Sequence, residues 1–126
     1  MRKQYHFRET KKGCLIWDVH RLVDMSQNLP LISIPLSEIK ELDEDFWYSN
    51  TSQKPTCRSI VDHFKLIQET DLNYPIIMCS EGRVMDGMHR VCKALLEGEK
   101  TIKAYKFSST PSPDYIDVAE DDLPYD

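Results

Sequence analysis

The sequence lacks the features that define several large classes of protein. It has 126 residues with only four glycines, four cysteines and two tryptophans, and its apolar runs are short and interrupted by proline or charge. A membrane-spanning helix needs about 20 mostly apolar residues, so none is predicted. The polar, basic start of the chain is not followed by the apolar core of an export signal, so a cytoplasmic protein is expected. The length suits one domain.

The cysteines are also too irregularly spaced to indicate a metal site. Cys14, Cys57, Cys79 and Cys92 form no Cys-x-x-Cys pair, and no histidine pair completes a zinc pattern. Free thiols and no metal-ligating residues are therefore predicted. The Gly-x-x-x-x-Gly-Lys-Ser/Thr loop is missing as well, which excludes an ordinary P-loop ATPase.

Charge is divided unevenly along the chain. Residues 108–126 hold six acidic residues and no Lys or Arg, so removing them turns the net charge of −5 into +1. Neither part is basic enough to bind DNA alone. The tail is expected to be extended or disordered and to add little to folding. It is interpreted first as solubilising, with a protein partner or the domain's own basic pocket as alternatives.

Apolar periodicity predicts a mixed α/β or α+β domain with a small mixed sheet. Residues 1–30 form an N-terminal extension of a weak strand and a helix capped by Asp18, and a strand follows over 31–36. Strands are also predicted at 76–79, 83–85 and 101–107. Phe46-Trp47-Tyr48 lies in a polar loop over 43–56, where packing on the core is favoured over a stacking wall for a base.

Two helices follow from spacing and caps. Thr56 is expected to cap a helix over 57–69, and Gly98 to end one over 88–97. The predicted buried stripe of the first helix comprises Cys57, Ile60, Val61, Phe64 and Ile67, and that of the second comprises Met88, Val91, Cys92, Leu95 and Leu96.

The segment Gly82-Arg-Val-Met-Asp-Gly-Met-His-Arg90 is the most informative for function. A strand runs into a tight turn at Gly87, and the turn opens a helix. The first N–H groups of a helix lack intrahelical partners and, with the helix dipole, favour an anion. Arg90 offers a planar fork for phosphate oxygens, His89 a second donor, and Asp86 a helix cap or a ligand for a hydroxyl or metal ion. The alternative is that these residues form only a cap, a turn and a solvated edge.

Asp86-Gly-Met-His-Arg90 after a strand resembles the phosphate loop of the ParB/sulfiredoxin superfamily. Sulfiredoxins have Gly-Gly-Cys-His-Arg there, partition proteins a Gly-Glu-Arg-Arg type, and ADP-dependent free serine kinases an Asp-Gly-His-His-Arg type. Ile34-Pro-Leu-Ser-Glu-Ile39 is similar to the start of these domains. Ser59-Ile-Val-Asp-His63-Phe resembles the sulfiredoxin helix that supplies hydroxyls to nucleotide phosphates, with His63 replacing one hydroxyl. The resemblance covers about 31–107, is most specific over 82–98, and extends to uncharacterised bacterial ParB-like proteins.

The resemblance implies a nucleotide-binding domain that uses ATP, ADP or another nucleotide, with Mg²⁺ as a further expectation. Asp86, Gly87, Met88, His89, Arg90, Ser59 and His63 would bind the phosphates. The implied activity is ATP/ADP-dependent phosphotransfer or nucleotide hydrolysis. By resemblance to the serine kinases, a carboxylate from Glu41, Asp43, Glu44 or Asp45 would be the base, with Glu44 the choice.

Departures from the family limit which activity transfers. Sulfiredoxin chemistry needs a nucleophilic cysteine where this chain has Met88, and Cys92 is expected to face the core. Partition proteins continue into DNA-binding and dimerisation domains, whereas only 19 residues, six of them acidic, follow Phe107 here. The alternatives that remain are a non-enzymatic nucleotide-sensing or partner-binding domain, a ParB-like DNA-associated protein and, last, a nuclease.

Overall fold

Two separate sheets organise the chain, which is an α+β protein as predicted. The structure is a computed structural model that describes residues 3–48 and 53–126. The strands are β1 (Tyr5–Thr10), β2 (Gly13–Asp18), β3 (Leu31–Pro35), β4 (Ile76–Met78), β5 (Val84–Asp86), β6 (Thr101–Lys106) and β7 (Tyr115–Ile116), and the helices are α1 (Val19–Ser26), α2 (Cys57–Glu69) and α3 (Met88–Leu96). The sheet orders are β1-β2-β7 and β3-β6-β4-β5.

The four-stranded sheet determines where α3 begins. β4 pairs with β5 in an antiparallel hairpin and with β6 in parallel, so the chain must cross over between β4 and β6. β5 and α3 make that crossover, since parallel neighbours cannot be joined by a tight turn. Val91 and Ala94 of α3 are buried in the core of this sheet with Ile76 and Ala104. The start of α3 is therefore held rigidly at the end of β5.

The N-terminal caps predicted for α1 and α2 and the glycine predicted at the end of α3 are confirmed. The Asp18 carboxylate accepts a hydrogen bond from the His20 N–H, and the Thr56 hydroxyl accepts one from the Ser59 N–H. Gly98 follows α3 with a φ of +76°, in the left-handed region that glycine favours at helix ends.

The acidic segment 108–126 is packed against the N-terminal sheet, so of the two expectations for the tail, extended or disordered, the disordered one is wrong. β7 pairs with β2, the Trp17 indole N–H donates to the Pro111 carbonyl at 2.9 Å, and Leu123 is buried. Arg21 pairs with Asp114 at 2.7 Å. Composition misled here because few but well-placed apolar and hydrogen-bonding groups suffice when a partner sheet already exists.

The predicted buried faces of α2 and α3 are partly wrong. In α3, Met88 and Val91 are buried and Cys92 packs against the core, but Leu95 and Leu96 are exposed. In α2 no residue is fully buried, and its inner side carries Ser59, His63 and Ile67. The remaining members of its predicted stripe, Cys57, Ile60, Val61 and Phe64, are exposed. Periodicity identifies residues that share a face, and it does not say what covers that face.

Among residues 3–48 and 53–126, no helix is both long and apolar enough to cross a membrane.

Candidate functional site

A cleft of about 1010 Å³ opens beside the start of α3, and its walls come from both sheets. Its lining includes residues of β1 and of the segment 117–120, together with residues 83–89, Trp47 and His63. Five of the predicted phosphate-site residues line it: His63, Asp86, Gly87, Met88 and His89. The fold therefore brings together residues that lie far apart in sequence.

Gly87 makes the turn from β5 into α3. Its φ of +105° lies in the left-handed region, and a Cβ atom there would be 2.7 Å from Cγ2 of Ile76 and 2.8 Å from Nη2 of Arg90. Gly87 occupies the N-cap position and has no side chain to cap the helix. The first N–H groups of α3 have no partner within the helix, as at any helix start. The Met88 side chain is buried, which leaves only its backbone N–H for a ligand.

Asp86 does not cap α3, contrary to one of its predicted roles. Its carboxylate instead accepts a hydrogen bond from Arg90 Nη2 at 2.9 Å, one helical turn on. Gly87 allows this contact, because the guanidinium occupies the space that a side chain would need. The Arg90 guanidinium is thus neither unpaired and available to a phosphate nor simply solvated, and Arg90 does not line the cleft.

His63 and His89 form a flat hydrogen-bonded pair. His63 Nδ1 lies 2.9 Å from His89 Nε2, the ring planes differ by 21°, and the ring centres are 5.2 Å apart. That separation is what a 2.9 Å contact leaves between two five-membered rings lying edge to edge, so the two nitrogens point at each other across one shared proton. Two histidines on one metal ion would instead aim both nitrogens at a common point.

Each histidine of the pair keeps one nitrogen for another partner. These are His63 Nε2 and His89 Nδ1, and in either tautomer of the neutral pair one donates and the other accepts. Burial lowers the pKa of His89 to about 4, assisted by the neighbouring His63 and Arg90. Burial also lowers the pKa of His63. The pair is therefore neutral near pH 7, and His89 does not oppose the dipole of α3 as a charged group would.

Trp47 supports the pair from one side. Its ring lies 4.2 Å from that of His63 and 4.7 Å from that of His89, both at 18°. Phe46 and Trp47 also pack against the main core, which confirms the favoured interpretation for two of the three aromatic residues. The two imidazoles occupy the indole face that a base would have stacked on. The predicted loop extends across 49–52, which lie outside the described residues.

Glu41 is a buried carboxylate in the cleft wall. Its side chain is 2% exposed, and Oε2 accepts the Val84 N–H at 2.6 Å and lies 3.4 Å from Arg83 Nε. Oε1 is buried and has no hydrogen-bond partner among the described residues. A buried polar atom without a partner costs about 1–3 kcal/mol, so a ligand or ion that contacts Oε1 would recover that free energy.

Glu44, the carboxylate chosen from sequence, lies in the same cleft but is more exposed. Its Oε1 pairs with Arg83 Nη2 at 2.5 Å. A carboxylate can act as a base with only one of its oxygens free. Glu41 fits that role better than Glu44, because the free oxygen of Glu41 is shielded from water. Glu41 belongs to the acidic loop from which a base is predicted, and its burial distinguishes it from its neighbours.

Acidic residues outnumber basic ones around the cleft. Its lining includes six carboxylates and two guanidinium groups: Glu9, Glu41, Glu44, Asp86, Asp117 and Glu120 against Arg8 and Arg83. An unaccompanied phosphate would be repelled by this excess. Within the described residues, no group of three or more His, Cys, Asp or Glu side chains could hold a metal ion by itself.

Ser59 lies outside the cleft, unlike His63, the other residue of α2 predicted to contact phosphate. Its hydroxyl is 2.9 Å from the hydroxyl of Tyr48, so it ties the aromatic loop to α2. Comparisons of the chain with protein families, curated proteins and solved structures found no match.

Proposed function

We propose that the cleft binds a nucleotide, with its phosphates at the start of α3. The observation that carries the proposal is that this uncapped helix start lies in the cleft wall beside a neutral histidine pair. The backbone N–H groups at Met88 and His89 would donate to phosphate oxygens, as would the protonated free nitrogen of the pair. The resemblance over 82–98 supports the same assignment.

Arg90 acts indirectly in this proposal. Its ion pair with Asp86 neutralises the carboxylate nearest the helix start, which would otherwise repel a phosphate. Removing Arg90 would expose that charge to the ligand. We therefore expect Arg90→Ala to lose nucleotide binding and also some stability.

Mg²⁺ would accompany the nucleotide, because the cleft is acidic. Mg²⁺ is commonly held by one or two carboxylates together with substrate phosphates and water, so a complete protein cage is not required. Glu41, through Oε1, and the nearby Glu44 suit that role. The ion would supply charge neutralisation for the phosphates.

Phosphoryl transfer or hydrolysis is the activity that these groups fit best. An attacking hydroxyl or water oxygen would form the new bond to the terminal phosphorus as the bond to the leaving nucleotide oxygen breaks. Glu41 Oε1 would accept the proton of the attacking oxygen, unless Glu41 Oε1 itself contacts Mg²⁺. In that case the free acceptor nitrogen of the histidine pair takes the proton.

Calorimetric titration of ATP and ADP, each with and without Mg²⁺, tests the proposal. We expect binding that depends on Mg²⁺ and falls at least tenfold in His89→Gln and Glu41→Gln. Glu99→Gln, an exposed acid outside the cleft, is the control and should bind like wild type. Absence of binding by wild type, or unchanged binding in both cleft variants, would refute the proposal. Consumption of the nucleotide that serine stimulates, with formation of phosphoserine, would identify a kinase, whereas release of free phosphate would identify a hydrolase.

A regulatory function is the second candidate, and one observation favours it. Asp117 and Glu120 of the acidic segment form part of the cleft wall, where they would compete with phosphates. Glu120→Lys should then raise nucleotide affinity several-fold. Binding without phosphate release, together with this gain, would favour a nucleotide-sensing domain over an enzyme.

A further inference from the structure

Helix α2 turns its most apolar side toward solvent. Ile60 is 52% exposed, Val61 63% and Phe64 46%, and these three residues are called the apolar face of α2. Phe64 lies four residues after Ile60 and three after Val61, so the three side chains share one side of the helix. Isolated apolar residues on a surface need no explanation, but a contiguous stripe of large ones marks an interaction site.

The charges beside the apolar face have an ordered pattern. Arg58, Asp62, Lys65 and Glu69 alternate in sign along one flank of α2, and all four are exposed. None forms an ion pair in the part of the chain that the structure describes. The flank has no net charge, so it offers no basic surface to an anionic membrane.

We propose that the apolar face of α2 binds the same face of a second copy of this chain, with the two helices antiparallel. When two helices pack antiparallel about a two-fold axis, each flank meets the same flank of the partner. Reversal of the order then places Arg58 opposite Glu69 and Asp62 opposite Lys65 of the other copy. Opposite charges therefore face each other along the antiparallel pair, and the apolar residues of both helices become buried against one another.

Sedimentation equilibrium over a concentration series tests the proposal on the full chain. We expect a reversible monomer–dimer equilibrium for wild type, and a monomer for Phe64→Asp at concentrations where wild type is dimeric. Because Phe64 is exposed, the variant should retain its fold, which circular dichroism checks. Met25→Asp is the matched control, since Met25 is 40% exposed on α1, and it should dimerise like wild type.

Charge reversal tests the antiparallel arrangement separately. Arg58→Glu and Glu69→Arg should each weaken the dimer roughly three- to tenfold, the scale of exposed ion pairs counted twice in a symmetric interface. An equimolar mixture of the two variants should restore dimerisation, because each contact then joins opposite charges.

Two outcomes would overturn the proposal. One is that wild type remains monomeric at every concentration. If such a monomer also binds neutral phosphatidylcholine vesicles in a flotation assay, the apolar face of α2 binds lipid instead. The other is a dimer that Phe64→Asp leaves intact. Failure of the mixture to recover would overturn the antiparallel arrangement.

Discussion

Removal of residues 108–126 should destabilise the protein severely, because the segment supplies buried contacts to the N-terminal sheet. Burial of a leucine side chain such as Leu123 contributes roughly 1.5–3 kcal/mol. The hydrogen bond from Trp17 Nε1 to the Pro111 carbonyl adds about 0.5–1.5 kcal/mol. Re-exposure of part of the Trp17 ring costs about 1–2 kcal/mol more. The Arg21–Asp114 pair is partly exposed and adds little.

The total loss is therefore roughly 3–6.5 kcal/mol, which is a large share of the 5–15 kcal/mol by which a domain is typically stable. Chemical denaturation of the full chain and of residues 1–107 measures it, with the fluorescence of Trp17 and Trp47 as the signal. Leu123→Ala should cost about 2–4 kcal/mol by itself. Asp121→Asn, an exposed control in the same segment, should be neutral. A truncated chain with the stability of the full one would refute the packing described for β7 and Leu123.

Three further predictions concern the start of α3 and its surroundings. The free energy of unfolding should fall by roughly 2 kcal/mol between pH 6.5 and about 4, because the unfolded chain binds a proton on His89 that the folded chain, with its lowered His89 pKa, does not. The melting temperature of His89→Gln should depend less on pH than that of wild type. An identical pH dependence would contradict this prediction. Gly87→Ala should lower the free energy of unfolding by roughly 2–5 kcal/mol, because of backbone strain and the clash with Ile76. Gly82→Ala, also at positive φ but in open space, is the control and should cost only the strain. Equal losses of stability in chemical denaturation would show that the clash is unimportant. Lys93→Met should destabilise the protein by about 1 kcal/mol, since Lys93 Nζ donates to two carbonyls at the end of α2; hydrogen exchange that stays unchanged there would contradict that role.

Local patterns in the sequence predicted local structure well. The caps at Asp18 and Thr56 and the extent of α2 follow from residue types within a few positions of one another. Failures occurred where the outcome depends on distant segments. The stripe on α2 was recognised, but the body of the protein packs against the neighbouring face that carries His63. The C-terminal segment looked unpackable because its partner, β2, is about a hundred residues away.

The candidate site divides in the same way. The turn at Gly87 and the helix after it could be found from sequence because strand, glycine and helix are consecutive. The pairing of His63 with His89 could not, since it depends on how α2 packs against α3. The role of Asp86 was also misjudged, because Asp is a good cap and a good partner for an arginine four residues on. Glu41 and Glu44 differ in burial, which composition does not reveal.

The order of synthesis makes the pairing of β2 with β7 relevant to folding. β1 and β2 form a hairpin early, but β2 has one unpaired edge until residues 115–116 have been made. Unpaired strand edges can join the edges of other chains, and contacts between distant segments form slowly. A nascent or prematurely ended chain would therefore present both this edge and the uncovered Trp17, which are the features that chaperones and proteases encounter in incomplete proteins. Pairing of the short strand β7 with β2 thus covers the edge that leaves an incomplete chain prone to aggregation.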